Sequence, residues 1–234
     1  MADMKKREKP FRGITPRGSF KFPSLLTPDY GTDEHPKPDG EYKVRLVLSR
    51  EAAQPLLKAL EPIHAKAVEK GEEEFAKLKI EQRKKLKSLS VNDLYAVEYD
   101  QETEEPTGNL LFNFKMKAGG TREVRGAKEQ WEQRPALFDA AGKPLKGVKA
   151  IWSGTEGKVS FTANPYFVAG TGTAGLSLRL EAAQILELAG PGQRNAAGYG
   201  FGAEEGYVGG DDEELEGEEE GFEDTQESPG EGDF

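Results

Sequence analysis

The sequence predicts a mainly β body, a small closed barrel of five or six strands interrupted once by a helix, joined to a disordered acidic tail. Three observations predict it. Several segments alternate apolar and polar residues with a period of two. One segment after the first clear strand carries apolar residues at helical spacing instead. Charge, finally, is divided along the chain: of 42 acidic residues, fifteen fall between Ala203 and Phe234, where there is no Lys or Arg. Residues 1–202 therefore hold 27 acidic against 32 basic residues, a net of +5 inside an overall charge of −10. A mildly basic body with an acidic tail points to nucleic acid or to an interaction tail.

The first 24 residues read as a basic arm, with Lys5, Lys6, Arg7, Lys9, Arg12, Arg17 and Lys21 interleaved with Phe11, Phe20 and Phe22. Residues 23–40 hold four prolines besides Gly31 and Gly40 and read as loop. From Glu41 to Ser49, Tyr42, Val44, Leu46 and Leu48 share one face, which predicts a half-buried strand. Ser49 is a natural cap for a helix starting near Arg50, carrying Leu56, Leu57, Leu60, Ile63, Ala67 and Val68 on its apolar side. Pro55 and Pro62 remove backbone donors, which predicts a kink or two short helices, and Gly71 is expected to interrupt them. A second, basic helical stretch follows to Leu89, with Lys77, Lys79, Arg83, Lys84, Lys85 and Lys87; such a run also fits an ordinary solvated helix face.

Leu110, Phe112, Phe114 and Met116 alternate with Leu111, Asn113, Lys115 and Lys117, another half-buried strand. Residues 118–147 read as loop-rich around Trp131, and Val148–Ser153 as a strand. Lys158–Val168 is a longer strand with Val159, Phe161 and Ala163 inward; Gly170–Gly175 turns the chain, and the last strand runs from Leu176 towards Leu188. Five or six strands with one inserted helix are the sequence pattern of an OB-fold. The body is thus expected over 25–190, a Gly-rich linker over 191–210 and the acidic tail over 211–234.

Several chemistries lack their residues. There is no cysteine, which fits a reducing cytosol and excludes disulfides and thiolate metal sites. His35 lies in a Pro-rich loop and His64 near an apolar helix face, so a zinc site is not expected, nor any other metal or cofactor. Gly170, Gly172 and Gly175 match G-x-G-x-x-G, but an alternating strand follows where a dinucleotide site needs a helix. No apolar run approaches the roughly 20 residues that span a bilayer. No catalytic constellation emerges, and the chain is not expected to be an enzyme.

The outward faces offer cations and an aromatic instead. The non-core parity of the strands supplies Lys43, Arg45, Lys115, Lys117, Lys158 and Arg179. Tyr166 shares parity with Lys158 and not with Val159, which makes it the leading base-stacking candidate; Trp152 is a second. Phe112 and Phe114 fall on the core side. In the tail, Asp233 and Phe234 combine charge, an aromatic and a terminal carboxylate, a recognised docking signal. A competing reading from composition is an acidic-tailed interaction protein or chaperone for basic partners.

In order along the chain, Pro28-Asp29-Tyr30-Gly31, Gly40-Glu41-Tyr42-Lys43-Val44, Phe112-Asn113-Phe114-Lys115, Asn164-Pro165-Tyr166-Phe167, Leu176-Ser177-Leu178-Arg179-Leu180-Glu181 and the terminal Glu231-Gly232-Asp233-Phe234 resemble the single-stranded-DNA-binding proteins of tailed-phage replisomes. The resemblance covers about 25–190 and the tail. It implies an OB-fold body that binds single strands without sequence preference in replication, recombination and repair, in the cytoplasm of an infected bacterial cell. It also implies tail contacts with the replicative polymerase and helicase-primase, and homodimerisation. By position, Lys115 and Tyr166 would meet DNA and Phe234 a partner. The chain departs from the family in carrying Lys117 where an aromatic can stand, and in the composition of its basic segment 72–89.

Overall fold

The computed structural model describes residues 10–100, 102–124 and 126–190. Its centre follows from alternation. Strands β3 (Pro36–Ser49) and β6 (Pro106–Lys117) pair antiparallel from Glu41↔Lys117 to Ser49↔Asn109. Tyr42, Val44, Leu46 and Leu48 on one, and Leu110, Phe112, Phe114 and Met116 on the other, are all buried. Strand β2 (Gly18–Gly31) lies on the other side of β3. Strands β10 (Glu156–Val168) and β11 (Thr173–Glu187) form one long hairpin.

Two short contacts close the ring. β11 meets β6 in parallel at Arg179↔Lys115, and β10 meets β2 at Gly157↔Gly18. The order β2-β3-β6-β11-β10 and back to β2 is a closed five-stranded barrel, an OB-fold. Closure needs glycine: a Cβ on Gly157 would collide with the Gln184 carbonyl and the Phe20 ring. Inside, Phe114 and Phe161 pack tilted with centroids 5.2 Å apart, and Phe11 of β1 (Phe11–Ile14), an edge strand on β10, covers Phe161.

The inserted helix is α1 (Arg50–Ala76), capped as the sequence predicts: the Ser49 hydroxyl accepts from the Ala52 N–H at 3.2 Å. The expected break is absent, because Pro55 and Pro62 both lie inside one continuous helix. Ala53, Leu56, Leu57, Leu60 and Ala67 are buried as α1 packs on β3, β6, β10 and β11, and that burial outweighs the backbone bonds the prolines forfeit. Gly71 does not interrupt the helix either. It sits against β11 where a Cβ would collide with the Ala174 methyl, so it serves close approach. The second helical stretch shrinks to α2 (Ile80–Leu86), none of whose residues is buried.

Other expectations are corrected. Residues 11–31, read as arm and then loop, hold β1 and the long, irregular β2, whose register with β3 shifts repeatedly around Pro23 and Pro28. Within 118–147 the chain forms a separate hairpin of β7 (Gly119–Val124) and β8 (Ala127–Glu132), and a short strand β9 (Ala136–Phe138) on β11. Val148–Ser153 is not a strand, although Ile151 is buried. Short strands β4 (Ser90–Val91) and β5 (Ala96–Tyr99) flank β11 and β6. The glycine-rich turn leads into β11, a strand, as expected.

Candidate nucleic-acid interface

Side chains opposite the core parity project from the barrel wall. On β3, β6 and β11 these are Lys43 and Arg45; Asn113, Lys115 and Lys117; Ser177 and Arg179. Register aligns them. Lys115 has Lys43 opposite it on β3 and Arg179 opposite it on β11. Ser24, Lys43, Lys115, Arg179 and Thr162 thus form one line across all five barrel strands. With strands about 4.8 Å apart, the three cations span roughly 10 Å.

Two recesses lie along this line and share Glu41 and Lys115. One is lined by Phe22, Lys37, Lys43, Arg45 and Asn113, the other by Lys117, Arg122, Trp131, Gln133, Asn164, Ser177 and Arg179. Together they make a continuous groove with an aromatic on each side. Phe22 is 57% exposed although it shares sequence parity with buried Phe20. A register shift between Lys21 and Ser24, with a left-handed Phe22 (φ 51°), turns its ring outward. Ser153 Oγ accepts the Phe22 N–H at 2.9 Å, and the Arg45 guanidinium lies 5.9 Å from the ring centroid. Trp131, half-buried on β8, has its indole against the backbone of Gly120, where a Cβ would come within 3.2 Å of the ring. Gln133 ties the hairpin base to the barrel: its amide donates to the Lys117 carbonyl at 2.8 Å and its oxygen accepts from Arg179 at 3.0 Å. A further recess beyond Trp131, around Pro28, Tyr30, Asp39 and Glu132, contains no Lys or Arg, so the cationic path runs along the other side.

Carboxylates are built among the cations. Asp29 accepts from Lys43 at 2.6 Å and Lys37 at 3.0 Å; Glu41 accepts from Lys37 at 2.7 Å and lies 3.7 Å from Lys115. Lys43 first, then the Gly31 N–H and Lys37, hold the Asp29 carboxyl far below the ordinary range. Glu41 and then Asp29 raise Lys37. Beside the groove, burial would raise Glu98, but hydrogen bonds from Lys21, Asn109 and Thr107 outweigh it and leave that carboxyl lowered. Lys117 pairs with Asp39 at 3.1 Å.

Of the residues singled out from sequence, Lys43, Arg45, Lys115, Lys117 and Arg179 converge here. Tyr166 shares the outward parity, opposite Gly175 and two residues beyond Asn164; its hydroxyl accepts from the Asn92 amide, and it lines neither recess. Lys158 is not brought in: six residues along β10 from Asn164, it lies about 20 Å away. Trp152 is exposed in the loop before β10, beside the serine that holds Phe22, and lines neither recess. Asp233 and Phe234 lie outside the described residues. Sequence reasoning missed Phe22, Trp131, Lys37, Asn164 and Gln133. The interleaving of phenylalanines with cations near the N-terminus signalled Phe22, the family resemblance took in Asn164, and Trp131 stood out as a lone aromatic.

A model of the single-stranded DNA-binding protein family of bacteriophage T7 matches residues 19–188. The chain belongs to that family. Apart from Gly18 at the start of β2, the five strands of the barrel ring and the groove residues from Phe22 to Arg179 fall within the matched span. A single-stranded DNA-binding protein of Enterobacteria phage T3 is 27% identical over 169 residues, covering 70% of each chain. The crystal structure of gp2.5, a single-stranded DNA binding protein encoded by bacteriophage T7, shares the fold, with a TM-score of 0.60 at 22% identity over 86% of this chain and all of that one.

Proposed function

We propose that the chain is a phage single-stranded-DNA-binding protein whose groove takes an extended strand, phosphates along Lys43, Lys115 and Arg179 and bases on Phe22, Trp131 and Tyr166. The observation that carries the reading is the alignment of three cations from three strands in one line, with exposed Phe22 on one side and half-buried Trp131 on the other. Positive grooves that track phosphates beside aromatic faces are how single strands are held without sequence preference. The face used is that of the second and third barrel strands, here β3 and β6, where OB-folds take oligonucleotides. Such binding coats and protects single strands in phage DNA replication and recombination.

The acidic tail is proposed to lie in the groove when DNA is absent and to reach the replicative polymerase and helicase-primase, through Asp233 and Phe234, when DNA displaces it. Support for this is charge complementarity between a body of net +5 and a tail with fifteen carboxylates. The family resemblance also supports assembly as a homodimer. Fluorescence anisotropy of a labelled oligonucleotide, single-stranded and duplex, tests both parts with full-length and 1–202 protein. Salt-sensitive binding of single strands, tightened at low salt by truncation, is the expected result. No binding by either form overturns the DNA reading in favour of an acidic-tailed protein for basic partners, and equal binding by both forms overturns tail competition.

A further inference from the structure

The groove's cations are not free. Lys43, Asp29, Lys37, Glu41 and Lys115 form an unbroken chain of ion pairs across β2, β3 and β6. Three lysines and two carboxylates leave a net of +1 along the stretch. Asp29 is fixed from both sides: one oxygen accepts the Gly31 N–H at 2.9 Å, the other both lysines, and only 23% of its side chain is exposed. Arg45, by contrast, stands over Phe22 and pairs with no carboxylate among the described residues. A site selected only to attract phosphate gains nothing from carboxylates placed between its lysines.

We infer that Asp29 and Glu41 are internal counterions that set selectivity for single over double strands by withholding lysine charge from phosphate. The inference rests on the groove being the strand site. Duplex DNA hides its bases, so its sequence-independent binding is almost wholly electrostatic. A single strand adds base stacking on aromatic rings. Lowering the electrostatic part therefore weakens both ligands but leaves only the single strand a second source of affinity. The loss also falls harder on the duplex, where each neutralised phosphate contributes about 0.9 to the salt slope, against about 0.7 for single strands.

Asp29→Asn and Glu41→Gln test it in the full chain. The first substitution keeps a side-chain oxygen for the Gly31 N–H and replaces the oxygen that holds Lys37 and Lys43 with an amide nitrogen that cannot accept from them, and the Glu41 substitution provides a second route should the first disturb the β2–β3 turn. Anisotropy is measured with single-stranded and duplex oligonucleotides across a salt series, with Lys115→Ala in parallel. Each carboxylate substitution is expected to steepen the salt dependence by about one cation. For every tenfold drop in salt, the variant then gains about fivefold on single strands and about eightfold on duplex relative to wild type. Unchanged or weaker binding by both carboxylate variants, with Lys115→Ala still weakening it, overturns the counterion role and leaves the groove assignment standing. Lys115→Ala that binds like wild type overturns the groove assignment itself.

Discussion

Replacing Trp131 with alanine removes the ring from one wall of the groove and leaves its cations in place. Stacking a base on an aromatic side chain contributes about 1–3 kcal/mol. One face of the Trp131 indole is already covered by the Gly120 backbone, so only one remains for a base. That confines the loss to a single stack, about 1–3 kcal/mol, or roughly 5- to 160-fold in affinity. Trp131→Phe keeps a ring and is expected to retain most of the affinity. Because the lost interaction is not ionic, the salt slope is expected to stay that of wild type. The chain has two tryptophans, Trp131 and Trp152. In a Trp152→Phe background, intrinsic emission reports Trp131 alone, and saturating single-stranded oligonucleotide is expected to quench it. Wild-type affinity in Trp131→Ala, or quenching that survives in Trp131→Phe and vanishes in Trp152→Phe, would refute the assignment and move the stack to Trp152.

Three further outcomes follow from the geometry. Lys115→Ala removes the central cation of the line and is expected to flatten the salt slope for single strands by about 0.7, measured by anisotropy at several salt concentrations. The Asp29 carboxyl is lowered in the folded state, so its contribution to stability is present above its unfolded value near 3.8 and is lost as pH falls below that. Thermal melts from pH 5 down to about pH 2.5 are expected to show a smaller acid destabilisation in Asp29→Asn than in wild type. Gly71→Ala gains helix propensity of up to about 1 kcal/mol but drives a methyl into Ala174, and overpacking against a strand costs about 1–3 kcal/mol. Net destabilisation is expected, lowering Tm by a few degrees in a calorimetric scan; a rise in Tm would show that β11 yields at this contact.

What could be foreseen followed from which faces are buried. β3, β6 and β11 each have one face on the core, so alternation exposed them and, by subtraction, Lys43, Arg45, Lys115 and Arg179. The hairpin of β7 and β8 has both faces largely in solvent and no apolar rhythm, so Trp131 was visible only as a lone aromatic in a loop. Phe22 was misplaced for a different reason: a left-handed residue at a register shift reverses parity, and nothing in Lys21-Phe22-Pro23 announces that reversal. Pro55 and Pro62 misled in the other direction, because a local penalty was outweighed by tertiary burial of Leu56, Leu57 and Leu60. Lys158 lies off the groove by its distance along β10, since parity fixes the face of a sheet and not the position on it.

The line Lys43–Lys115–Arg179 is drawn from three points far apart in the chain, and its last link, β6 against β11, is one of the two contacts that close the ring. Until that contact forms, Lys43 and Lys115 face each other across β3 and β6 while Arg179 stays apart on the β10–β11 hairpin. In the proposed site, the full line is available to DNA only once the ring has closed. A strand that binds the closed ring and not the open chain shifts the folding equilibrium by mass action, about 2.7 kcal/mol at a hundredfold excess over Kd. Because contacts of such long sequence separation form slowly, a strand held on the proposed line would act late in folding, holding the molecules whose rings have closed.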